Sequence, residues 1–227
     1  MRLENVVPFG RSMDEYRCMF MLTAADLDKK IIGIADGPAS FNAEMSDLGK
    51  PVVSVDPLYI FSGEEIETRF HAVVDDIISQ VQATPDDWVW AYHRSPAHLR
   101  ENRLQVLDRF LADYRKGKAD GRYVVGELPA LRFADNTFQL ALCSHLLFLY
   151  SDHFGYEFHR DAVLEMLRVA PEVRVFPLLT LSLEISRHMS PLVAELSARG
   201  FTVKLERVDY ELQRGGHEMM RIQRAGL

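Results

Sequence analysis

Three groups of residues carry spacing that chemistry can use. The first is a turn of small residues, Ala35-Asp36-Gly37-Pro38-Ala39, directly after the apolar run Ile31–Ala35. Gly37 lets the backbone turn sharply, and the alanines keep side-chain bulk low beside it. Such a turn between a strand and a helix N-terminus brings backbone N–H groups to bear on a ligand. The second is Asp56, followed by Pro57, at the end of the apolar run Pro51–Asp56 and nineteen positions after Gly37. In a doubly wound fold a carboxylate at about that distance accepts hydrogen bonds from ribose hydroxyls. The same pair of features also reads as an ordinary small-residue turn and an Asp that starts a turn before proline. The third is His145 with Tyr150, past the run Gln139–Ser144. An imidazole there can take a proton from an oxygen or nitrogen near neutral pH. It equally fits a strand-end histidine with a local hydrogen bond, beside a core tyrosine. His93, His98, His153, His159 and His217 form no helical His-x-x-x-His pair, and no metal site is expected.

The elements that must position these residues alternate. Ile31–Ala35, Pro51–Asp56, Arg122–Glu127, Gln139–Ser144 and Val173–Leu179 are short apolar runs bounded by Gly, Pro or Asp. Runs of that length separated by helical patterns predict parallel strands covered on both faces, hence an α/β fold. Between the second and third runs lie about 60 residues with two helical periodicities. One runs from Ile66 to Val81; the other, from Leu104 to Tyr114, follows a Ser95-Pro96 start signal. Residues 62–120 are expected to form a helical insertion or cap, with the whole of 1–227 as one domain. Trp88, Trp90 and Tyr92, in its irregular middle, either wall a pocket or anchor the connection to the core. The ending differs from the rest. Ser190-Pro191 predicts a helix start and Gly200 its end. Phe201–Leu205 alternates, Val208 and Tyr210 resume out of phase as though after a bulge near Arg207, and His217–Arg224 returns.

With these elements in order, the chain resembles the class I S-adenosylmethionine-dependent methyltransferases. Their glycine loop reads acid-x-Gly-x-Gly-x-Gly; here Gly33, Ala35, Gly37 and Ala39 stand at those positions, so only the central glycine matches. Asp36 is the candidate substitute for the missing acid. Asp56 matches the family's ribose-binding acid. The stretch Gly126–Tyr150 resembles the family's acid, Leu-Pro and aromatic-Asp-Ser/Thr-Phe pattern before the fourth strand. By that match Glu127 and Leu128 lie beside the adenine, and Ser144 and His145 face the sulfonium and the acceptor. Glu165-x-x-Arg168-Val169 is similar to the family's helix before the fifth strand. The resemblance implies a Rossmann-like three-layer sandwich with sheet order 3-2-1-4-5-7-6 and an antiparallel last strand. It implies S-adenosylmethionine as cofactor, bound by Arg11, Gly33, Ala35, Asp36, Gly37, Asp56, Pro57, Glu127, Leu128 and Ser144, with His145 and Tyr150 catalytic. Family members often cover the cofactor with a segment such as Val7–Tyr16, where Arg11 can pair with the methionine carboxylate; a solvent-facing loop arginine is the other reading.

Composition narrows the partners. The net charge of −7 gives no global attraction to nucleic acid. Two cysteines, Cys18 and Cys143, fit a reducing compartment. The longest uncharged run, Asn136–Ser151, is shorter than a membrane span, and a cytoplasmic protein is expected. No Asn-Pro-Pro-Tyr follows the fourth strand, where Cys143-Ser-His-Leu-Leu-Phe148 stands, which counts against amino methylation of DNA bases or glutamine. The leading reading is a methyltransferase with a small-molecule acceptor. The alternatives are a non-catalytic module binding S-adenosylmethionine or another nucleoside for a partner, and a nicotinamide-nucleotide enzyme. The acceptor and the oligomeric state are not legible.

Overall fold

The computed structural model describes residues 6–224. Seven strands form one sheet in the order β3-β2-β1-β4-β5-β7-β6. These are β1 Ile31–Ile34, β2 Val52–Val55, β3 Tyr123–Val124, β4 Leu140–Ser144, β5 Glu172–Phe176, β6 Phe201–Arg207 and β7 Glu218–Arg224. The first five are parallel, and β7 runs antiparallel to both β5 and β6. Central strands are buried on both faces because successive side chains alternate between two cores. Ile31, Leu140 and Leu142 join one core, with side chains from helices α1 Met13–Phe20, α3 Phe41–Asp47, α4 Gly63–Ala83 and α5 Pro96–Ala119. Ile32, Ile34, Ala141, Cys143, Val173 and Val175 join the other, under α6 Tyr156–Val169 and α7 Met189–Ala198. Helix, sheet and helix are the three layers expected.

Several boundaries differ from the sequence expectation, each for a local reason. Only Tyr123 and Val124 of the third run pair with β2, while Glu127 forms an isolated bridge with Ala130. The fifth run stops at Phe176 because Pro177 has no N–H for the ladder. Helix α7 begins at Met189 with His188 as N-cap, so Ser190 and Pro191 lie inside the first turn, where a missing N–H costs no intrahelical bond. No bulge occurs near Arg207: β6 and β7 pair in unbroken register from Phe201↔Arg224 to Arg207↔Glu218. The phase change arises because the strand ends there, and Val208 and Tyr210 turn into the core.

Two helices before β1 carry no expectation from the sequence. In α1, Ser12 accepts the Glu15 N–H while the Glu15 carboxylate accepts the Ser12 N–H, a capping box repeated by Thr23 and Asp26 at α2 Ala24–Leu27. Between β2 and β3, the start signal at Ser95 holds, its hydroxyl accepting the His98 N–H. Helix α5 packs on α3 and β3, and α4 packs along α5. Among the described residues no helix is long and apolar enough to cross a membrane.

Candidate active site

The strand order reverses direction between β1 and β4, and at such a switch point the loops beyond the strand ends part to leave a crevice. A cleft of about 260 Å³ lies there, lined among others by Arg11, Ala35, Asp36, Gly37, Asp56, Pro57, Ser144 and His145. It continues past Ala35, Asp56 and Pro57 into a second space of about 150 Å³ beside Glu127 and Leu128. On the other side, past Val7, Phe9, Arg11 and His145, it meets a third of about 70 Å³ that Tyr150 lines. Eleven of the twelve residues named from sequence thus line one or another of three adjoining spaces that share wall residues. Gly33 does not line it.

The turn after β1 is built around its acids. Ala35 and Gly37 both take left-handed backbone conformations, φ +58° and +54°, which bend the chain out of the strand. Alanine is disfavoured there by about 1 kcal/mol, so the surroundings must hold it. The Ala35 N–H donates to Val55 O at 2.8 Å, and the Tyr59 hydroxyl donates to Gly37 O at 2.8 Å. Asp56 accepts the Gly37 N–H on one carboxyl oxygen and the Leu58 N–H on the other, both at 2.8 Å. The remaining lone pairs are the ones a bound hydroxyl can use. Burial pushes its pKa up to about 6.

Asp36 accounts for Gly33. Its carboxyl folds back over the strand end and accepts the Tyr16 and Ser54 hydroxyls, each at 2.6 Å. A Cβ on residue 33 would lie 2.0 Å from Asp36 Oδ2. The space next to residue 33 is occupied by the Asp36 carboxyl, so an acid at 33 and an acid at 36 exclude one another. Burial, with Asp56 nearby, pushes the Asp36 pKa up to about 6.

Val7, Pro8, Phe9 and Arg11 line the cleft. Gly10 pins this segment, since a Cβ there would meet Pro38 O at 2.2 Å, and Ser40 N–H donates to Arg11 O at 3.1 Å. Arg11 is not a solvent-facing arginine. It donates through Nη1 to Phe9 O, and its buried Nε has no partner. Burial and the neighbouring Arg103 lower its pKa to about 10, an effect that the Glu15 carboxylate offsets only in part. Burial, Arg11 and Arg103 also hold the His145 pKa well below its usual value, so the imidazole is neutral. Its Nδ1 lies 2.7 Å from Ser144 Oγ.

One buried group escaped the sequence reading. Arg103 of α5 makes a two-pronged pair with Glu15 of α1, at 2.7 and 2.6 Å. Tyr210 donates to Glu15 at 3.0 Å, and His93 Nε2 lies 3.1 Å from the same carboxylate. The network joins α1, α5 and the β6–β7 connection behind the third cavity. Two signals were available: the spacing Ser12-x-x-Glu15, and an arginine on the buried face of α5 among Leu99, Val106, Leu107 and Phe110. The Glu165-x-x-Arg168 pair also has a structural task. Glu165 accepts the Leu131 N–H and Arg168 donates to Leu131 O and Phe133 O, which fixes the loop after Leu128.

No protein-family model matches the sequence. The chain is 30% identical over 225 residues to the uncharacterized protein MJ0045 of Methanocaldococcus jannaschii, covering 99% of each. Solved structures with similar folds include magnesium protoporphyrin IX methyltransferase of Synechocystis PCC 6803 with bound SAM (12% identity, TM-score 0.48, 94% of this chain and 78% of that one). The PH0226 protein of Pyrococcus horikoshii OT3 is similar at 14% identity and TM-score 0.48, over 93% and 90%. The methyltransferase domain of bacterial CtHen1-CN is similar at 10% identity and TM-score 0.49, over 93% and 99%. At these scores the likenesses say nothing of activity or ligand; the fold is read from this chain's own strand order. The chain belongs to one family with the M. jannaschii protein, and its sheet is that of the class I methyltransferase fold.

Proposed function

We propose that the protein is an S-adenosylmethionine-dependent methyltransferase acting on a small molecule. The observation that carries this reading is the cleft at the β1/β4 switch point, lined by both Asp56 and an Arg11 whose buried Nε has no partner. The residues present fit the cofactor. Asp56 has lone pairs for ribose hydroxyls, Glu127 and Leu128 border the space for a base, and the orphaned Arg11 Nε suits a carboxylate. Asp36 lines the cleft and provides the acid for an amino group from a position three residues later than usual. When bound, the cofactor supplies an electrophilic methyl group on a sulfonium.

The chain's own residues then hold and orient. Val7–Arg11 covers the cleft and excludes water, which matters because water competes as nucleophile. An acceptor entering from the third cavity arrives beside His145, which lines both spaces. With the cofactor bound, His145 would orient the acceptor's lone pair toward the methyl group that the cofactor would supply. The acceptor's proton passes to His145 Nε2 in the tautomer whose Nδ1–H is donated to Ser144. Held neutral by its surroundings, the imidazole is open to that proton at pH 7. Positioning of the lone pair about 3–3.5 Å from the methyl is the main contribution asked of the site.

The test is calorimetric titration with S-adenosylhomocysteine, followed by turnover of methyl-labelled S-adenosylmethionine against a small-molecule library. Binding with turnover supports the proposal. Binding without turnover across the library favours the non-catalytic module instead, and absence of binding refutes both.

A further inference from the structure

The third cavity defines what the acceptor can be, given the methyl-transfer reading above. We propose that the acceptor is a compact, uncharged, apolar molecule no larger than a single ring that presents one hydroxyl to His145 and Tyr150. Size sets the first limit. The space of about 70 Å³ is about half the volume of a cavity that takes up benzene, so a single ring is the upper limit and its hydroxyl end must reach into the neighbouring cleft.

The walls give the polarity. Ile77 and Val81 of α4, Leu99 of α5, Leu149, Leu181 and Leu212 enclose the space. The polar groups among them are largely committed elsewhere. Tyr210 donates to Glu15 at 3.0 Å, and Trp88 Nε1 donates to Thr84 Oγ1 at 3.0 Å. Gln213 Nε2 faces Thr180 O at 3.4 Å. Besides Arg11, whose guanidinium the reading above assigns to the donor's carboxylate, what stays open is His145 Nε2 and the Tyr150 hydroxyl, which accepts the Val7 N–H at 3.4 Å and keeps its own proton to donate. His145 lines both this cavity and the donor cleft, and Tyr150 is tied to Val7, which also lines both. One acceptor and one donor match a single hydroxyl.

Charge selects against ions. The lining holds no carboxylate and no lysine, so an ammonium group would be desolvated with only Arg11, a like charge, in reach. An anionic acceptor would compete for the same guanidinium that the donor's carboxylate requires. A neutral acceptor avoids both conflicts.

The probes are p-cresol, benzoate and benzylamine, titrated by ligand-observed NMR into the full-length protein with and without saturating S-adenosylhomocysteine. The expected result is saturable p-cresol binding with S-adenosylhomocysteine present, at least tenfold tighter than either ion. Leu181→Trp and Leu149→Trp, which fill the cavity, should each weaken p-cresol at least tenfold and leave S-adenosylhomocysteine affinity within twofold. That second reading confirms folding and an intact donor cleft. Absence of p-cresol binding, benzoate binding as tightly as p-cresol, or p-cresol binding indifferent to both tryptophans would overturn the proposal. If wild-type protein binds p-cresol in the cavity but not S-adenosylhomocysteine, the methyltransferase reading has failed and the acceptor assignment falls with it, while the neutral apolar preference of the cavity stands as measured.

Discussion

Replacing Gly33 with alanine adds one methyl group to a strand interior, a change that ordinarily helps a strand by about 0.5–1 kcal/mol. Here the new Cβ would lie 2.0 Å from Asp36 Oδ2 and 2.6 Å from its Cγ, so the Asp36 carboxyl must leave. Its departure breaks the hydrogen bonds from the buried Tyr16 and Ser54 hydroxyls, each 2.6 Å long. Bonds of this charge-assisted kind contribute about 1.5–3 kcal/mol apiece, and part of the loss is recovered as Asp36 rehydrates. A net loss of about 2–5 kcal/mol is expected. For a chain of this size that corresponds to a fall in Tm of roughly 5–20 °C. The decisive assay is a double-mutant cycle by urea denaturation, combining Gly33→Ala with Asp36→Gly. Once residue 36 has no side chain, the added methyl at position 33 has nothing to displace, so the double variant should be no less stable than Asp36→Gly alone. The coupling should therefore be about 2 kcal/mol or more. Costs that add within about 0.5 kcal/mol would refute the claim that the Asp36 carboxyl occupies the space next to Gly33.

Four further outcomes follow from the same geometry. Arg11→Met removes a part-buried cation whose desolvation Glu15 offsets only in part, so Tm should not fall while S-adenosylhomocysteine affinity falls at least tenfold; thermal melts and calorimetry read the two. Arg103→Met leaves the buried Glu15 carboxylate unpaired and should cost about 3–5 kcal/mol by denaturant unfolding, whereas Arg103→Met with Glu15→Met should recover most of it. The Asp36 pKa is raised to about 6 in the folded protein, above its unfolded value, so the native state binds the extra proton and stability from this group falls as pH rises from about 4 through about 6. Asp36→Asn should accordingly gain stability relative to wild type across that window, and a pH-independent difference would contradict the assignment. Gly10→Ala would drive Cβ into Pro38 O, so it should lift the covering segment, weaken S-adenosylhomocysteine and expose Val7–Arg11 to limited proteolysis.

The parts of the fold that were legible in the sequence are those where local pattern and architecture agree. Short apolar runs between helical periodicities require a parallel sheet, and the alternating Phe201–Leu205 with the returning His217–Arg224 requires an antiparallel pair. The site was legible where chemistry repeats a spacing: Gly37 and Asp56, nineteen residues apart, meet in a hydrogen bond of 2.8 Å. Gly33 was assigned to the cofactor by position in a motif, yet its task is to make room for Asp36, which only the folded turn reveals. The Glu15–Arg103–His93–Tyr210 network joins residues from three distant stretches of the chain, and no local pattern records such a pairing. The start of α7 was misplaced by two residues because proline fits any position of a first turn, so Ser190-Pro191 did not define its start.

The central claim is that the cleft at the β1/β4 switch point holds S-adenosylmethionine through Asp56, and paired calorimetric titrations of S-adenosylhomocysteine into wild type and Asp56→Ala test it most directly. One-to-one binding to wild type is expected, with a loss of roughly ten- to hundred-fold in the variant, equivalent to about 1.5–3 kcal/mol. Folded wild-type protein that binds no S-adenosylhomocysteine, or an Asp56→Ala variant that binds it equally well, would contradict it.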